Sequence, residues 1–314
     1  MSKEKIHIPE LKTALEDFTD WLETLSYSKA TIITRERNVF DFFIFLQENK
    51  ITTIEQITNE NLNNYINHQK QRRNKIYKAG LKTSSINVAI ASINKLFEYL
   101  NKLGKHNINL LKLSYLENNQ ATKNILTTEE IRQIISSTYT IKQHRLNPLP
   151  IGQRDRAMLA IYYSCGLRKS EGIDLKTDDI LFERKLLHVK KGKGNKERYV
   201  PVTAINLNYI KEYISDCREQ LLSKNQEDGE TEYLFVNQYG KKCGNQSLSN
   251  RLRALINNAE NSNITAKEPT LHTLRHSIAT HLLQQGMEIE MIQKFLGHQS
   301  LESTQIYTHL INEL

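Results

Sequence analysis

The chain has 314 residues, of which 39% are hydrophobic and 25% are charged, and its formal net charge is +8. This composition argues against a largely disordered chain and a membrane protein, and the positive charge favours a polyanionic partner such as nucleic acid. The start of the chain carries no apolar leader, and no segment approaches ~18 consecutive apolar residues. The three cysteines lie far apart without a C-x-x-C pair, which argues against a disulfide framework or a zinc site. We therefore expect a cytoplasmic protein of two domains with no membrane partner.

The N-terminal part of the chain is predicted to form four amphipathic helices. Apolar residues recur at helical spacing from Leu11 to Leu25 and again from Val39 to Leu46. Ser28 lies between these runs and offers an N-cap, because its hydroxyl can accept a hydrogen bond from a first-turn amide. Two further helices are predicted at 61–71 and 84–100, and the second begins with serines suited to N-capping.

A polar stretch, LENNQATKNI, separates these helices from the rest of the chain and has few core candidates. We place a linker there, at 116–126, with a helical domain at 1–115 and a second domain at 127–314. The segment 128–130 reads Thr-Glu-Glu, which combines an N-cap residue with acidic first-turn residues and so opens a new helix.

The second domain is predicted to be mostly helical with a small antiparallel β-sheet. Between 186 and 202 the pattern changes to two short β-prone runs around a turn at 192–195, which predicts a hairpin. Helical periodicity predicts the remaining elements at 128–137, 153–163, 206–222, 245–258, 273–285 and 289–296. The predicted fold class is therefore mostly α, with two domains.

The last part of the chain carries the densest set of chemically active side chains: His272, Arg275, His298 and Tyr307. His272 and Arg275 are three residues apart, so a helix would place an imidazole and a guanidinium on one face, where both can converge on one oxyanion. Taken singly, each of these residues is more often a surface or packing residue than a functional one.

A metal site is the alternative for the histidines. His272 and His276 are one helical step of four apart, whereas His281 follows at a step of five, which turns its ring away. No H-E-x-x-H motif occurs, and no cysteine or carboxylate completes a close set. We therefore predict no metal and no cofactor.

A second cluster lies upstream, where Gly166 permits a tight entry before Arg168 and Glu171 follows at a spacing that can orient the arginine on a helix. The alternative is an ordinary surface Arg–Glu pair. The predicted hairpin adds a basic run, interpreted as a solvated or DNA-facing surface. Its members are Lys190, Lys191, Lys193, Lys196 and Arg198.

A third basic run lies between two N-terminal helices and contains no acidic residue. Its members are Lys70, Arg72, Arg73, Lys75, Lys78 and Lys82. Such a segment is suited to contacting several DNA phosphates, which would make binding strongly salt-dependent. A solvated loop is an equally good interpretation of this run alone.

Four segments together resemble the tyrosine recombinases, in particular the bacterial Xer-type and integrase-type members. They are GLRKSE from Gly166, the hairpin GKGNKERYVPV, HTLRHSIATHLL from His272 and LGHQSLESTQIYTH from Leu296. The resemblance covers nearly the whole chain and implies that 1–115 is a helical core-binding domain that clamps DNA and that 127–314 is the catalytic domain. It implies a catalytic set with Glu171 as a supporting acid. The implied catalytic residues are Arg168, Lys193, His272, Arg275, His298 and Tyr307.

The resemblance also implies a reaction and a set of partners. Tyr307 would attack a DNA phosphate and form a 3′-phosphotyrosyl link without metal or ATP. The implied partners are a double-stranded recombination site and further copies of the chain in a tetramer on paired sites. A second recombinase subunit and a DNA translocase are further candidates, and the implied location is at the nucleoid. Both chromosome-dimer resolution and the integration or excision of a mobile element use this chemistry.

The chain departs from the family pattern in two places. Lys169 and Gly172 stand where such proteins more often have apolar residues, and we expect them to loosen that helix. Only seven residues follow Tyr307, so we expect weak contacts from this tail. A type IB topoisomerase and a non-catalytic DNA-binding relative remain alternatives. The basic N-terminal helices favour the recombinase over the first, and the complete set of catalytic residue types favours it over the second.

Overall fold

The computed structural model describes residues 5–72, 80–104, 112–117, 125–139, 150–190, 197–224, 231–244 and 246–297. The chain divides into two compact units, at 1–121 and 122–314. Each unit has a hydrophobic core of its own. None of the helices in the described ranges is long and apolar enough to cross a membrane.

The first unit is helical, as the sequence predicts. Its helices are α1 (Pro9–Thr24), α2 (Lys29–Glu48), α3 (Asn59–Gln71) and α4 (Thr83–Leu103). The hydroxyl of Ser28 accepts a hydrogen bond from the Thr31 amide, which confirms the predicted N-cap of α2. The predicted serine cap of α4 is wrong, because that helix begins one residue earlier, after Lys82, without a side-chain cap.

Aromatic rings fill the core between these helices. The ring of Phe42 in α2 meets the rings of Tyr65 in α3 and Phe97 in α4 edge-on, with centroids 5.0 and 6.4 Å apart. All three side chains are almost completely buried. Edge-to-face pairs of this kind stabilise a core beyond the burial of their area, so three of the four helices are joined at one point.

The second unit contains the remaining elements in mostly helical order. Its helices are α5 (Thr128–Ser136), α6 (Ile151–Leu159), α7 (Lys169–Ile173), α8 (Ala204–Glu212), α9 (Glu219–Leu222), α10 (Ser247–Asn258), α11 (Ser262–Ala266), α12 (Leu271–Gln284) and α13 (Ile289–Leu296). Its strands are β1 (Ile180–Leu181), β2 (Leu186–Val189) and β3 (Arg198–Pro201). The mostly helical class with a small antiparallel sheet is confirmed.

Several boundaries differ from the predicted ones. The helical run expected at 153–163 is α6 followed by a π-helical turn at Ala160–Ser164, and the run at 206–222 is likewise divided by a π-helical turn at Tyr213–Arg218. Such turns keep the apolar periodicity while shifting the hydrogen-bond partner, so a pattern of apolar residues does not reveal them. The N-cap of α5 is Thr127 rather than Thr128, with Glu130 completing a capping box.

The three strands form an antiparallel sheet in the order β1-β2-β3. The pairs His188–Tyr199 and Val189–Arg198 face each other across β2 and β3, which confirms the predicted hairpin strands. Because side chains alternate along a strand, His188 and Tyr199 point outward, whereas Val189 and Arg198 point to the inner face beside Val200. The hairpin turn itself lies outside the described residues.

A buried ion pair joins α6 to α10 in this unit. Arg251 donates from Nε to Asp155 Oδ1 at 2.7 Å and from Nη2 to Oδ2 at 2.6 Å. The carboxylate of Asp155 is inaccessible to solvent. The pair therefore links α6 to α10 inside the core. It is a structural counterpart to the arginine–carboxylate contacts of the candidate active site.

Candidate active site

Helix α12 places two of the predicted site residues one turn apart. Thr270 caps the helix by accepting from the Thr273 amide, which fixes where the first turn begins. His272 keeps an accessible ring, whereas Arg275 is only 3% exposed. The guanidinium of Arg275 donates to the carbonyl of Gly166 and, at 2.7 Å, to that of Leu296. Arg275 is thus held from both sides by backbone.

The turn at Gly166 brings the upstream cluster close to α13. Its φ of +59° lies in the left-handed region, which favours glycine. A Cβ added there would lie 2.9 Å from Leu296 Cδ2 and 3.1 Å from Phe295 Cε1. Glycine is therefore required both for the backbone conformation and for the close approach. After this turn, Arg168 occupies the N-cap position of α7.

Glu171 is the centre of the cluster, because three arginines surround its buried carboxylate. Arg168 donates to it from the backbone amide at 2.9 Å and from Nη1 at 2.7 Å. Arg198 donates from both Nη atoms, at 3.1 and 2.8 Å, and Arg275 Nη1 lies 3.9 Å away. Burial opposes ionisation, but the bonds and charge of Arg198, with those of Arg168, lower the pKa of Glu171 to about 2. The carboxylate is therefore ionised throughout the physiological range.

The same three arginines also bind the C-terminal end of α13. Arg198 Nε donates to the Phe295 carbonyl at 3.1 Å, and Arg168 Nη2 donates to the Gly297 carbonyl at 2.7 Å. The bond from Arg275 to Leu296 completes a series of three consecutive carbonyls. Carbonyls at a helix C-terminus lack intrahelical partners and carry partial negative charge, so cations there are stabilising. The residue that follows this anchored end is His298.

The electrostatic environment keeps His272 neutral. Desolvation by the surrounding protein and the charges of Arg275 and Arg168 lower the pKa of His272 below its ordinary value. Its ring centroid lies 6.3 Å from that of His276 on the next turn. Desolvation, followed by the proximity of His272 and Arg275, lowers the pKa of His276 to about 4. A neutral imidazole beside buried guanidiniums can accept a proton or a hydrogen bond at neutral pH.

The family departure at Gly172 has a local explanation that differs from the predicted loosening of the helix. A Cβ at Gly172 would lie 2.6 Å from the ring of Tyr162, and the hydroxyl of that tyrosine donates to the Lys169 carbonyl at 3.1 Å. Tyr162 is completely buried. A large ring thus fills the space above the glycine, and α7 is packed rather than loose.

The predicted basic hairpin run is only partly described. Lys190 is exposed and its amine lies 2.6 Å from Asp179 Oδ1. Arg198 differs from the prediction of a DNA-facing residue, because its side chain is about one-tenth exposed and is bound to Glu171 and α13. The alternation of Arg198 with Val200 and Val202 was the sequence feature that could have predicted this inward position. Lys191, Lys193 and Lys196 lie outside the described residues, as do His298 and Tyr307.

The basic run of the N-terminal unit is also partly described. Lys70 and Lys82 are exposed, whereas Arg72 is partly buried and donates to Asp41 at 2.9 Å. Arg73, Lys75 and Lys78 lie outside the described residues. The described members are therefore two solvated lysines and one arginine with a carboxylate partner.

The histidines of α12 have different surroundings. His281 is buried, and its Nδ1 lies 2.9 Å from the Tyr163 hydroxyl, whereas His272 and His276 lie near the arginine cluster. Within the described ranges, no group of three or more His, Cys, Asp or Glu side chains is arranged to hold a metal ion. The charge concentrated in this region is that of the arginines.

Two family models match most of the chain. The family model described as the phage integrase family matches residues 124–313. A second model, described as the phage integrase N-terminal SAM-like domain, matches residues 15–104.

Individual relatives extend over nearly the full chain. The tyrosine recombinase XerC of Oceanobacillus iheyensis is 28% identical over 309 residues, covering 97% of this chain and 93% of the relative. The tyrosine recombinase XerD of Halalkalibacterium halodurans is 33% identical over 266 residues, covering 83% and 80%. A solved structure of the XerH site-specific recombinase bound to difH substrate aligns with a TM-score of 0.70 and 21% identity, over 98% of this chain and 94% of that one. At that identity the structural likeness concerns the fold.

The chain therefore belongs to the phage integrase family. It is a tyrosine recombinase of the Xer type, an enzyme of site-specific DNA recombination, and the assignment made from its sequence motifs is confirmed. The topoisomerase alternative is not favoured, because the relatives that match nearly the whole chain are recombinases.

Proposed function

We propose that Tyr307 is the nucleophile and that Arg168 and Arg275 bind the phosphate it attacks. The observation that carries this proposal is the convergence of both arginines on Glu171 and on the end of α13, directly before His298. Guanidiniums held in this way present charge without reorganising, which favours the developing charge of a pentacoordinate phosphorus.

The other proposed roles follow from the proton balance of the reaction. The Tyr307 hydroxyl, with an ordinary pKa near ~10, loses its proton as its oxygen bonds to phosphorus. The bond from phosphorus to the 5′ oxygen then breaks, and Lys193 gives that oxygen a proton. Neutral His272 donates a hydrogen bond from its ring N–H to a phosphate oxygen or takes the proton of Tyr307 on its free ring nitrogen, and His298 binds another phosphate oxygen. The product is a 3′-phosphotyrosyl link, which a partner strand's 5′-hydroxyl reverses without ATP.

The proposed partners are a DNA recombination site and further copies of the chain. The solved relative is described as bound to its difH substrate, which supports a duplex site for this chain. Strand exchange needs two duplexes, so we propose a tetramer on paired sites at the nucleoid, with a second recombinase subunit or a DNA translocase as further partners. The exposed Lys70 and Lys82, with the hairpin lysines, would contact phosphates. Chromosome-dimer resolution and mobile-element movement both fit these roles.

A suicide substrate tests the proposal directly. A duplex nicked next to the scissile phosphate loses a short leaving strand, so the covalent adduct accumulates. We expect an adduct with the wild-type protein and none with Tyr307→Phe, which removes one oxygen and no positive charge and so leaves DNA binding unchanged. Mixing two differently labelled duplexes should also yield recombinant products.

The contrary outcomes are distinct. Cleavage and resealing without exchange of the labelled duplexes would support a topoisomerase, and binding without any adduct would support a non-catalytic protein. An adduct that survives Tyr307→Phe would assign the nucleophile elsewhere. Tyr199 and Tyr239 are then the first candidates because they are exposed, whereas Tyr213 is fully buried and its pKa is raised by that burial.

A further inference from the structure

The side chain of Arg198 extends from strand β3 and donates both to the Glu171 carboxylate in α7 and to the Phe295 carbonyl in α13. We propose that Arg198 is a positioning residue that fixes Glu171, and through it Arg168, against the C-terminal end of α13. This inference rests on the proposed roles of Arg168 and Tyr307. It adds a residue of strand β3, counted among DNA contacts by its charge alone, to the machinery that holds the phosphate-binding group.

The contacts of Arg198 use all three nitrogen atoms of its guanidinium. Both Nη atoms donate to the two oxygens of Glu171, and Nε donates to the Phe295 carbonyl. This fork of parallel bonds fixes the plane of the carboxylate, which a single charged contact does not do. Gly297 lets the arginine lie this close, because a Cβ there would be 3.0 Å from Arg198 Cδ and from Nη1.

The position of Glu171 decides the position of Arg168. The carboxylate accepts from both the backbone amide and the Nη1 of Arg168. If Arg198 were absent, two acceptor positions of a buried anion would lose their donors, and Arg168 would be the nearest cation able to fill them. We expect Arg168 to turn further toward Glu171 and away from a bound phosphate. The effect of Arg198 on the reaction is therefore transmitted through another arginine.

A direct DNA contact does not account for this geometry. The Arg198 side chain is only one-tenth exposed, its fork is occupied by a carboxylate, and β3 directs it to the inner face beside Val200. A purely structural ion pair does not account for it either, since the partner carboxylate also orients Arg168. The unit contains a suitable reference, because Arg251 makes a comparable fork to Asp155 and contacts neither Glu171 nor α13.

The first experiment measures single-turnover adduct formation at saturating protein with the suicide substrate. We expect Arg198→Gln to lower the rate by about 100-fold, the effect of losing one preorganised donor group, while the Kd for DNA changes by less than about threefold. Arg198→Lys should fall between, since it keeps the charge and loses the fork. The matched control, Arg251→Gln, should lose thermal stability and keep its cleavage rate when measured well below its Tm.

The second experiment separates positioning of the phosphate-binding arginine from other defects. A methylphosphonate at the scissile position removes one negative charge, so cleavage of it depends less on Arg168. We expect the rate deficits of Arg198→Gln and Arg168→Ala to shrink together on this substrate. A 5′-phosphorothiolate, whose thiolate leaves without a proton, should leave both deficits unchanged while relieving Lys193→Ala.

Three outcomes would overturn the inference. They are an unchanged cleavage rate in Arg198→Gln, a deficit equal on all three substrates, and relief by the phosphorothiolate instead of the methylphosphonate. The last result would assign Arg198 to the hairpin that carries Lys193. Absence of an adduct with wild-type protein would instead contradict the proposed function, so the two failures are distinguishable.

Discussion

Two buried carboxylates in the second unit are each held by arginine, yet their surroundings differ. Asp155 faces the fork of one arginine, Arg251. Burial raises the pKa of Asp155 even though the bonds and charge of Arg251 and the charges of Arg154 and Arg156 oppose that shift. Glu171 faces Arg168 and Arg198 directly, with Arg275 at 3.9 Å, and its pKa falls to about 2. Desolvation therefore prevails at Asp155, whereas the hydrogen bonds and charges of the arginines prevail at Glu171.

The two carboxylates differ in how many arginines donate hydrogen bonds to them, and this distinguishes the structural ion pair from the one proposed to act in catalysis. In the first, both Nε and Nη2 of the arginine are committed to one carboxylate, and the pair serves two helices. In the second, one carboxylate is shared. Arg168 has five N–H groups on its side chain. Among the described residues, one of them donates to Glu171 and another to the Gly297 carbonyl, so further donors remain for a ligand. A carboxylate that is shared by several arginines thus orients them and leaves some of their N–H groups available for a ligand.

The largest effect that this comparison predicts is on catalysis at the shared site. Arg168→Ala should lower the cleavage rate by at least about 10³-fold, because it removes a preorganised donor fork from the transition state. Glu171 keeps Arg198, so the free energy of unfolding should change little. Single-turnover cleavage and urea unfolding measure the two quantities. If Arg168→Ala instead lost much stability and cleaved normally, Glu171 and Asp155 would both have a structural role, and the proposed distinction between them would be wrong.

The opposite pattern is expected at the structural pair. Arg251→Ala leaves the Asp155 carboxylate buried without its partner, and breaking such a pair costs about 3–5 kcal/mol of the free energy of unfolding. Cleavage by the folded fraction should remain within about twofold, since among the described residues Arg251 donates to Asp155 and not to the arginine cluster around Glu171. A cleavage deficit persisting at temperatures far below the Tm would show that this pair also supports catalysis.

The sequence predicted the components of the shared site but not how they meet. Motif order identified Arg168, Glu171 and Arg275, and helical spacing placed Glu171 within reach of Arg168, because that contact is local. The inward position of Arg198 was available from strand alternation but was obscured by the surrounding lysines. The bonds from these arginines to the carbonyls of α13 join distant parts of the chain through backbone atoms, which no residue type marks.

The fold was predicted to a similar depth. Periodicity located the long helices, and α13 begins and ends where expected. Strand β1 has two residues, too few for alternation to be recognised, and helix α11 was missed because its five residues are too few to show a helical period. Gly172 was misjudged because its explanation is the ring of Tyr162, ten positions earlier. The residue types along the chain do not reveal that a glycine and a tyrosine ring ten positions apart pack against each other.

The pH dependence of stability sharpens the comparison at Glu171. A carboxylate whose pKa is lowered from 4.5 to about 2 stabilises the folded state above its unfolded pKa, and that contribution is lost as pH falls from 4.5 toward 2. The shift corresponds to at most about 3 kcal/mol. Glu171→Gln should therefore be less stable than wild type at pH 7 and approach it at pH 3.5, as measured by urea unfolding. A gap that stays constant with pH would contradict the lowered pKa.

A smaller effect is expected from His272, which desolvation and the arginines of the shared site hold neutral. Its pKa is lowered below its ordinary value by desolvation and by Arg275 and Arg168, so the ring is mostly neutral at neutral pH and becomes protonated in acid. If the neutral ring accepts a proton or hydrogen bond in cleavage, the wild-type rate should be flat from pH 7 to 8 and fall in acid by up to about tenfold per pH unit. His272→Gln should lack this acid limb. The same limb in both proteins would assign it to another group.

The smallest expected effect is that of a chelator. The charge that stabilises the attacked phosphate is proposed to come from Arg168 and Arg275, which are fixed by Glu171 and by the carbonyls of α13. Guanidiniums stay protonated and in place regardless of divalent ions, and they supply the electrostatic stabilisation that a magnesium ion brings to other phosphoryl transfers. The Glu171 carboxylate at the centre of the cluster already accepts hydrogen bonds from two arginines. Cleavage of the suicide substrate should therefore proceed in excess EDTA within about twofold of the untreated rate, because no step requires a Lewis acid. Loss of cleavage in EDTA, restored by a divalent metal and not by sodium chloride at equal ionic strength, would mean that the arginines orient a metal site rather than replace one.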